Sequence, residues 1–126
     1  MKALTKAEEQ VMQQLWGMET AFLKELADSF EEPKPAYTTV STMVRILIDK
    51  EFIGFKKYGN NRQYYPLVSR EDYLKGQFRG VLRSYFQGSF SKFASFYTDD
   101  EKMSLDELEE IENIVKNQIK NRKSQS

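Results

Sequence analysis

Apolar side chains recur along this chain at two spacings, and the switch between them divides it. Ala7, Val11, Leu15 and Met18, with Met12 and Trp16 beside them, repeat every three or four positions, the period of a helix with one buried face. Thr5 precedes the run and Glu8 follows three residues later. That pair predicts a capping box, the hydroxyl accepting a backbone N–H and the carboxylate reaching back. Gly17 is the expected stop, and Trp16 is expected in the core. A shorter helix is predicted over Ala21–Phe30, with Phe22, Leu23, Leu26, Ala27 and Phe30 inward. Pro33 and Pro35 forbid its continuation. The third stripe is unbroken: Val40, Met43, Val44, Leu47 and Ile48.

The period then changes. Phe52–Tyr58 and Arg62–Leu67 read as two strands about a Gly59-Asn60-Asn61 turn, and Pro66 can end a strand but not sit within a sheet. A fourth helix, capped at Ser69, carries Leu74, Phe78, Val81, Leu82, Tyr85 and Phe86. Gly88-Ser89 breaks it. Phe90, Phe93, Ala94 and Tyr97 mark a short fifth helix, and Thr98–Lys102 a charged linker. Ser104 and Glu107 form a second capping box, ahead of a last helix striped by Leu108, Ile111, Val115 and Ile119. Lys120–Ser126 is expected to be frayed or disordered. There is no internal repeat.

The predicted fold is mainly α with a small β-hairpin. Helix, helix, turn, helix, hairpin is the order of a winged helix-turn-helix domain, here over residues 1–70. A helical dimerisation region follows over 71–120, then a tail over 121–126. The aromatics of residues 73–97 are too many for three short helices to bury alone, which is the argument for dimerisation. Its candidate residues are Leu74, Phe78, Leu82, Phe86, Phe90, Phe93, Tyr97, Leu108, Ile111 and Val115.

Composition removes whole classes of chemistry. The 126 residues hold no cysteine and no histidine. Disulfides, zinc fingers and thiol catalysis are excluded, as is the commonest general base. No catalytic residue, metal or cofactor is expected. No apolar run approaches the ~18 residues of a membrane span, and Met1-Lys2-Ala3-Leu4 opens no signal peptide. The expectation is a soluble cytoplasmic protein without membrane insertion.

Charge is balanced in total, 19 basic against 19 acidic residues, but segregated. Residues 1–32 carry net −4, residues 33–70 net +5, and residues 99–112 hold eight acids against Lys102. A polyanion responds to that local asymmetry. The outer face of the third helix reads Thr38, Thr39, Ser41, Thr42, Arg45 and Asp49. Helix propensity does not explain so many hydroxyls. Small hydroxyl residues let a helix backbone approach the major groove, where base edges are read. Lys56, Lys57 and Arg62 flank a hairpin tip carrying Asn60 and Asn61, placed to neutralise phosphates. Lys34 and Tyr37 complete the candidate DNA-binding set of Lys34, Tyr37, Thr38, Thr39, Thr42, Arg45, Lys56, Lys57, Asn60 and Arg62. The expected partners are double-stranded DNA and a second copy of the chain, on an inverted repeat with half-sites about 34 Å apart.

These residues resemble the penicillinase-repressor family, the BlaI/MecI/CopY type of winged-helix transcriptional repressors. The resemblance is carried by Leu4–Met12 with Leu15-Trp16, by Pro33–Thr42 with Arg45-Ile46-Leu47, and by Tyr58-Gly59-Asn60, Tyr64–Leu67 and Ser69–Tyr73. It covers roughly residues 4–115. It implies a homodimeric repressor of resistance genes, paired with a membrane sensor-protease that inactivates it by cutting within the dimerisation region. The family's cleavage bond is an Asn-Phe pair, and the matching position here reads Ser95-Phe96, the candidate cleavage bond. The copper-responsive branch uses a C-terminal cysteine cluster, which this chain lacks.

Two other classes compete. A winged helix can serve as a protein–protein adaptor, which predicts no salt-sensitive DNA binding. An enzyme would need carboxylates free of structural duty, yet Asp106, Glu107, Glu109 and Glu110 sit where caps and helix surfaces explain them. One expectation follows from the missing histidines. Affinity for DNA measured by fluorescence anisotropy at fixed salt should stay nearly constant across about pH 6–8; a large change would expose a shifted carboxylate.

Overall fold

A computed structural model describes residues 2–100 and 102–125. Met1, Glu101 of the expected linker and Ser126 of the expected tail lie outside the described residues. The elements run α1 (Lys6–Met18), β1 (Ala21–Phe22), α2 (Leu23–Asp28), α3 (Tyr37–Asp49), β2 (Ile53–Tyr58), β3 (Asn61–Pro66), α4 (Arg70–Phe86), α5 (Phe90–Thr98) and α6 (Leu105–Gln125). They form two compact units, Met1–Gln77 and Phe78–Ser126.

The first unit is a winged helix with one continuous core. Val11, Met12 and Leu15 of α1, Leu26 and Ala27 of α2, and Val40, Val44 and Leu47 of α3 are buried together with Ala21, Phe52, Ile53, Tyr64 and Tyr73. Burying each large side chain contributes about 1.5–3 kcal/mol relative to leaving it in water. α1 begins at the expected capping box: Glu8 N–H donates to Thr5 Oγ1 at 3.2 Å, and Thr5 N–H to Glu8 Oε1 at 3.0 Å. Its end differs from expectation. Gly17 lies inside the helix, and the chain turns at Glu19, whose φ is +69°. Thr20 N–H donates to Met18 O at 2.8 Å, closing a three-residue γ-turn.

That sharp reversal places Ala21 and Phe22 in a strand rather than in the predicted second helix. The sheet is three-stranded, in the order β1-β3-β2, with Ala21 opposite Tyr64 and Phe22 opposite Gln63. Phe22 is extended, and its N–H donates to Glu25 Oε1 at 2.8 Å, so α2 starts only at Leu23. Apolar spacing cannot reveal this strand, because Phe22 and Leu23 continue the helical rhythm of Leu26 and Ala27. The pairing that makes it a strand comes from β3, about forty residues away along the chain.

The hairpin turn holds two residues, not three: Tyr58 pairs with Asn61 across Gly59-Asn60. Pro66 ends β3 opposite Ile53, as its missing N–H requires. Trp16 is half-buried, and its Nε1–H donates to Val68 O at 2.8 Å, tying α1 to the segment after the wing. Ser69 Oγ accepts Asp72 N–H at 3.0 Å and caps α4.

Two polar side chains lie in this core. Ala7, expected inward, is exposed, while Glu8 beside it is buried. Glu8 Oε1 meets Lys50 Nζ at 2.6 Å, and Lys50 also donates to Ala3 O at 3.0 Å. The Lys50 ammonium holds the Glu8 carboxyl below its ordinary value, against the opposing effect of burial. Tyr73, counted above among the C-terminal aromatics, belongs instead to the first unit. It packs on Trp16 and Phe52 at 5.5 and 5.9 Å, and its hydroxyl donates to Glu9 Oε2 at 2.6 Å. Burial, with Glu9 second, pushes its phenol up to about 12.

The second unit contains the second half of α4, from Phe78, and α5 and α6. α4 ends with Gln87 and Gly88 both at positive φ, as Gly88 N–H reaches back to Leu82 O at 2.9 Å. Ser89 caps α5 through Lys92 N–H, and Ser104 caps α6 through Glu107 N–H. Thr98, assigned above to the linker, closes α5. The tail expected to be disordered beyond Lys120 is helical through Gln125. Its Lys, Asn, Arg and Gln residues contain no Gly or Pro to stop a helix already under way.

The Glu8 pair sets a pH dependence with a definite sign. A carboxylate bound more tightly in the folded state stabilises fully above its unfolded pKa and loses that contribution as pH falls through the lowered folded value. Glu8→Gln should therefore cost about 1.5–3 kcal/mol at neutral pH and much less near pH 3. Urea unfolding of both proteins at the two pH values checks this; an equal gap at both would remove the ion pair from the account.

Candidate nucleic-acid interface

α3 turns three faces to three environments. Val40, Val44 and Leu47 are buried. Thr38, Thr42, Arg45 and Asp49 follow one another at helical spacing on the opposite side, all exposed. Tyr37, Ser41 and Ile48 lie between the two and, with Arg45, line a groove of about 550 Å³. Thr39 is exposed further round the helix. The helix faces outward with its hydroxyls because its aliphatic stripe faces inward.

The far wall of the groove is the wing. Asn60, Asn61 and Arg62 line it together with Tyr64, and Phe22, Leu23 and Lys24 close its end. None of the lining residues is acidic. The structure thus brings Tyr37 and Arg45 together with Asn60 and Arg62. It leaves Lys34, Thr38, Thr39, Thr42, Lys56 and Lys57 exposed outside that groove. Lys57 instead shares a shallow tip pocket with Gly59, Asn60, Asn61 and Arg62. Strand alternation separates the two wing lysines: Lys57 pairs with Arg62, whereas Lys56 pairs with Gln63 on the other face of the ribbon.

Side-chain hydrogen bonds refine these positions. Thr42 Oγ1–H donates to Thr38 O at 2.9 Å, so in this rotamer its hydroxyl is free only to accept. No side chain caps α3, whose N-cap is Ala36. Its first-turn N–H groups therefore lack a side-chain acceptor at the end where the helix dipole favours anions. Lys50, one of the cations of the basic segment, is committed to Glu8. Among the described residues no group of His, Cys, Asp or Glu is arranged to hold a metal, and no helix is long and apolar enough to cross a membrane.

Sequence reasoning missed Lys24, Ser41 and Asn61 as groove residues. Ser41 and Asn61 were legible as members of the hydroxyl face and the turn. Lys24 was not, since only the strand pairing of β1 carries the start of α2 to the wing.

A helix-turn-helix core, an outward hydroxyl face and a cationic wing define a winged-helix DNA-binding protein. Residues 4–117 match the model of the penicillinase repressor family, and the chain belongs to that family. It is a BlaI/MecI-type DNA-binding transcriptional repressor, in a family of regulators rather than enzymes. It is 27% identical over 113 residues to the methicillin resistance regulatory protein MecI of Staphylococcus aureus strain N315, covering 89% of this chain and 92% of that one. Identity to MecI of Mammaliicoccus sciuri is 26% over the same coverage. The solution structure of the DNA-binding domain of the repressor BlaI superposes with a TM-score of 0.50 at 26% identity, over 58% of this chain and 94% of that domain.

Gly59 holds the wing tip at φ +62°, with open space where a side chain would project. Gly59→Ala should therefore lower stability by about 1 kcal/mol through backbone strain alone. Thermal unfolding tests this, and an unchanged midpoint would mean that the turn is not held in the left-handed region.

Proposed function

We propose that this repressor reads DNA with α3 in the major groove while the wing grips the adjoining phosphates. Thr38, Thr39 and Thr42 face the bases. Lys34, Arg45, Lys56, Lys57 and Arg62 neutralise phosphates, with Tyr37 and Asn60 beside them, and Lys24 joins this set. The observation that carries the reading is the α3–wing groove, which joins Arg45 to Arg62 without an acid in its lining. The uncapped N-terminus of α3 supports it, because a phosphate oxygen supplies the acceptor that Thr5, Ser69, Ser89 and Ser104 supply to the other long helices.

The protein acts as a homodimer inside the cell, in the cytoplasm, on an inverted repeat. Exposed apolar side chains of the second unit support this. Phe90, Tyr97, Ile111 and Val115 are 41–61% exposed, and Phe78 36%, apolar side chains that a partner surface would cover. Phe86, Phe93 and Leu108 are half-buried beside them. Leu82 is buried, so it supports the fold of the unit, and Leu74 is exposed at 45% on α4. Occupying the promoter excludes polymerase without chemistry. Separating the two protomers removes the bivalent gain.

Cutting at Ser95-Phe96 by a membrane sensor-protease is the proposed route to inactivation, and the family resemblance supports it. Both residues are exposed, but they lie inside α5, where Ser95 O accepts Asp99 N–H at 3.2 Å. A protease needs extended backbone, so α5 must open first. The names of the MecI relatives support a resistance gene as the target.

Footprinting on the promoter upstream of the chain's own gene tests class and stoichiometry together: a protected inverted repeat is expected. Binding should also weaken with salt at a log–log slope of about −5 to −7, for six to eight phosphates per dimer. A slope near zero contradicts the reading and favours an adaptor.

A further inference from the structure

Lys57 and Arg62 stand directly opposite one another across the wing. Like charges so placed destabilise a ribbon, and among the described residues neither lies within ion-pair distance of an acid. Arg62 lies instead over an aromatic ring. Its guanidinium carbon lies 4.4 Å from the centroid of Phe55. Phe55 is itself held, since its ring meets that of buried Tyr64 edge-on at 6.2 Å and packs against the core of the first unit. The same Arg62 lines the groove that contains Arg45.

We propose that Phe55 is a positioning residue for DNA binding. Its ring holds the Arg62 guanidinium at the α3–wing groove, so that Arg62 and Arg45 act on the same stretch of phosphate backbone. This rests on the DNA-binding reading above and adds a side chain that itself touches no DNA. The choice of an aromatic partner is the physical point. A carboxylate would orient Arg62 equally well, but it would cancel the charge and consume the N–H donors. A ring attracts the cation without cancelling its charge and without offering a carboxylate acceptor that would consume its five N–H donors. The arginine has then lost much of its rotamer freedom before a phosphate arrives, so less is lost on binding.

The test uses the full chain and a fluorescein-labelled 30-base-pair duplex of random sequence, followed by anisotropy across a sodium chloride series. Phe55→Leu should weaken binding about two- to fivefold per wing, and Phe55→Tyr should restore it. In an Arg62→Gln background Phe55→Leu should change nothing further, because there is no cation left to place. Arg62→Gln itself should reduce the salt slope by about one per wing. Melting temperatures are read in parallel, and Phe55→Met replaces Phe55→Leu if leucine lowers stability. The proposal is overturned if Phe55→Leu weakens binding equally with and without Arg62, since the ring would then be structural only. It is also overturned if Phe55→Leu binds like the parent while Arg62→Gln does not, or if Phe55→Tyr melts like the parent yet fails to restore binding. Absence of salt-sensitive binding by the parent chain would instead remove the DNA-binding reading on which the proposal stands.

Discussion

Burial of Val40, Val44 and Leu47 against α1 and the sheet is the constraint from which the candidate interface follows. Once that stripe is packed, the rotation of α3 about its axis is set, and Thr38, Thr42 and Arg45 have no direction open but outward. Rotating the helix the other way would expose three aliphatic side chains and bury hydroxyls without partners, each costing about 1–3 kcal/mol. The wing is positioned by the same core. Phe52, Ile53 and Tyr64 are buried in it, so helix and hairpin cannot move independently. The groove between them is a by-product of apolar packing on its inner side.

Electrostatics then differentiates surfaces that packing has placed. The chain carries no net charge, yet the first unit separates its charges. Glu8 engages Lys50 in a partly buried ion pair at 2.6 Å. Arg45, Lys57 and Arg62 have no acid within ion-pair distance among the described residues. Opposed Lys57 and Arg62 are a local conflict in the isolated molecule. Proteins tolerate such conflicts where function needs them and stabilise themselves elsewhere, here through the aliphatic core.

The two units contrast in how they satisfy their apolar residues. Thirteen buried hydrophobic residues form the core of the first. In the second, Phe78, Phe86, Phe90, Phe93, Phe96 and Tyr97 meet one another mostly edge-on or tilted, with ring centroids at 4.9–6.2 Å, but Phe90, Phe96 and Tyr97 keep more than half their surface in solvent. Rings left that far exposed are an incomplete core. That incompleteness is the physical ground for proposing a second copy of the chain.

The amino-acid sequence by itself determined much of what depends on neighbours a few positions apart, although Gly17 does not stop α1 and the chain beyond Lys120 stays helical. The capping box at Thr5, the serine caps at Ser69 and Ser104, the α3 stripe with its outward threonines, the hairpin and its glycine, and the break at Gly88 are all of this kind, and so is the family. What needed tertiary structure involved partners far along the chain: Ala21 beside Tyr64, Glu8 with Lys50, Trp16 with Val68, Tyr73 with Glu9. Local spacing assigns a residue to a face but cannot say what lies opposite, so Phe22 read as helix, Ala7 as core and Tyr73 as part of the C-terminal cluster. The join of Lys24, Arg45 and Arg62 in one groove is of the same kind, because it exists only once strands separated by some forty residues have paired. Periodicity is a short-range signal, whereas the free energy that selects among its outcomes comes from long-range burial and hydrogen bonding.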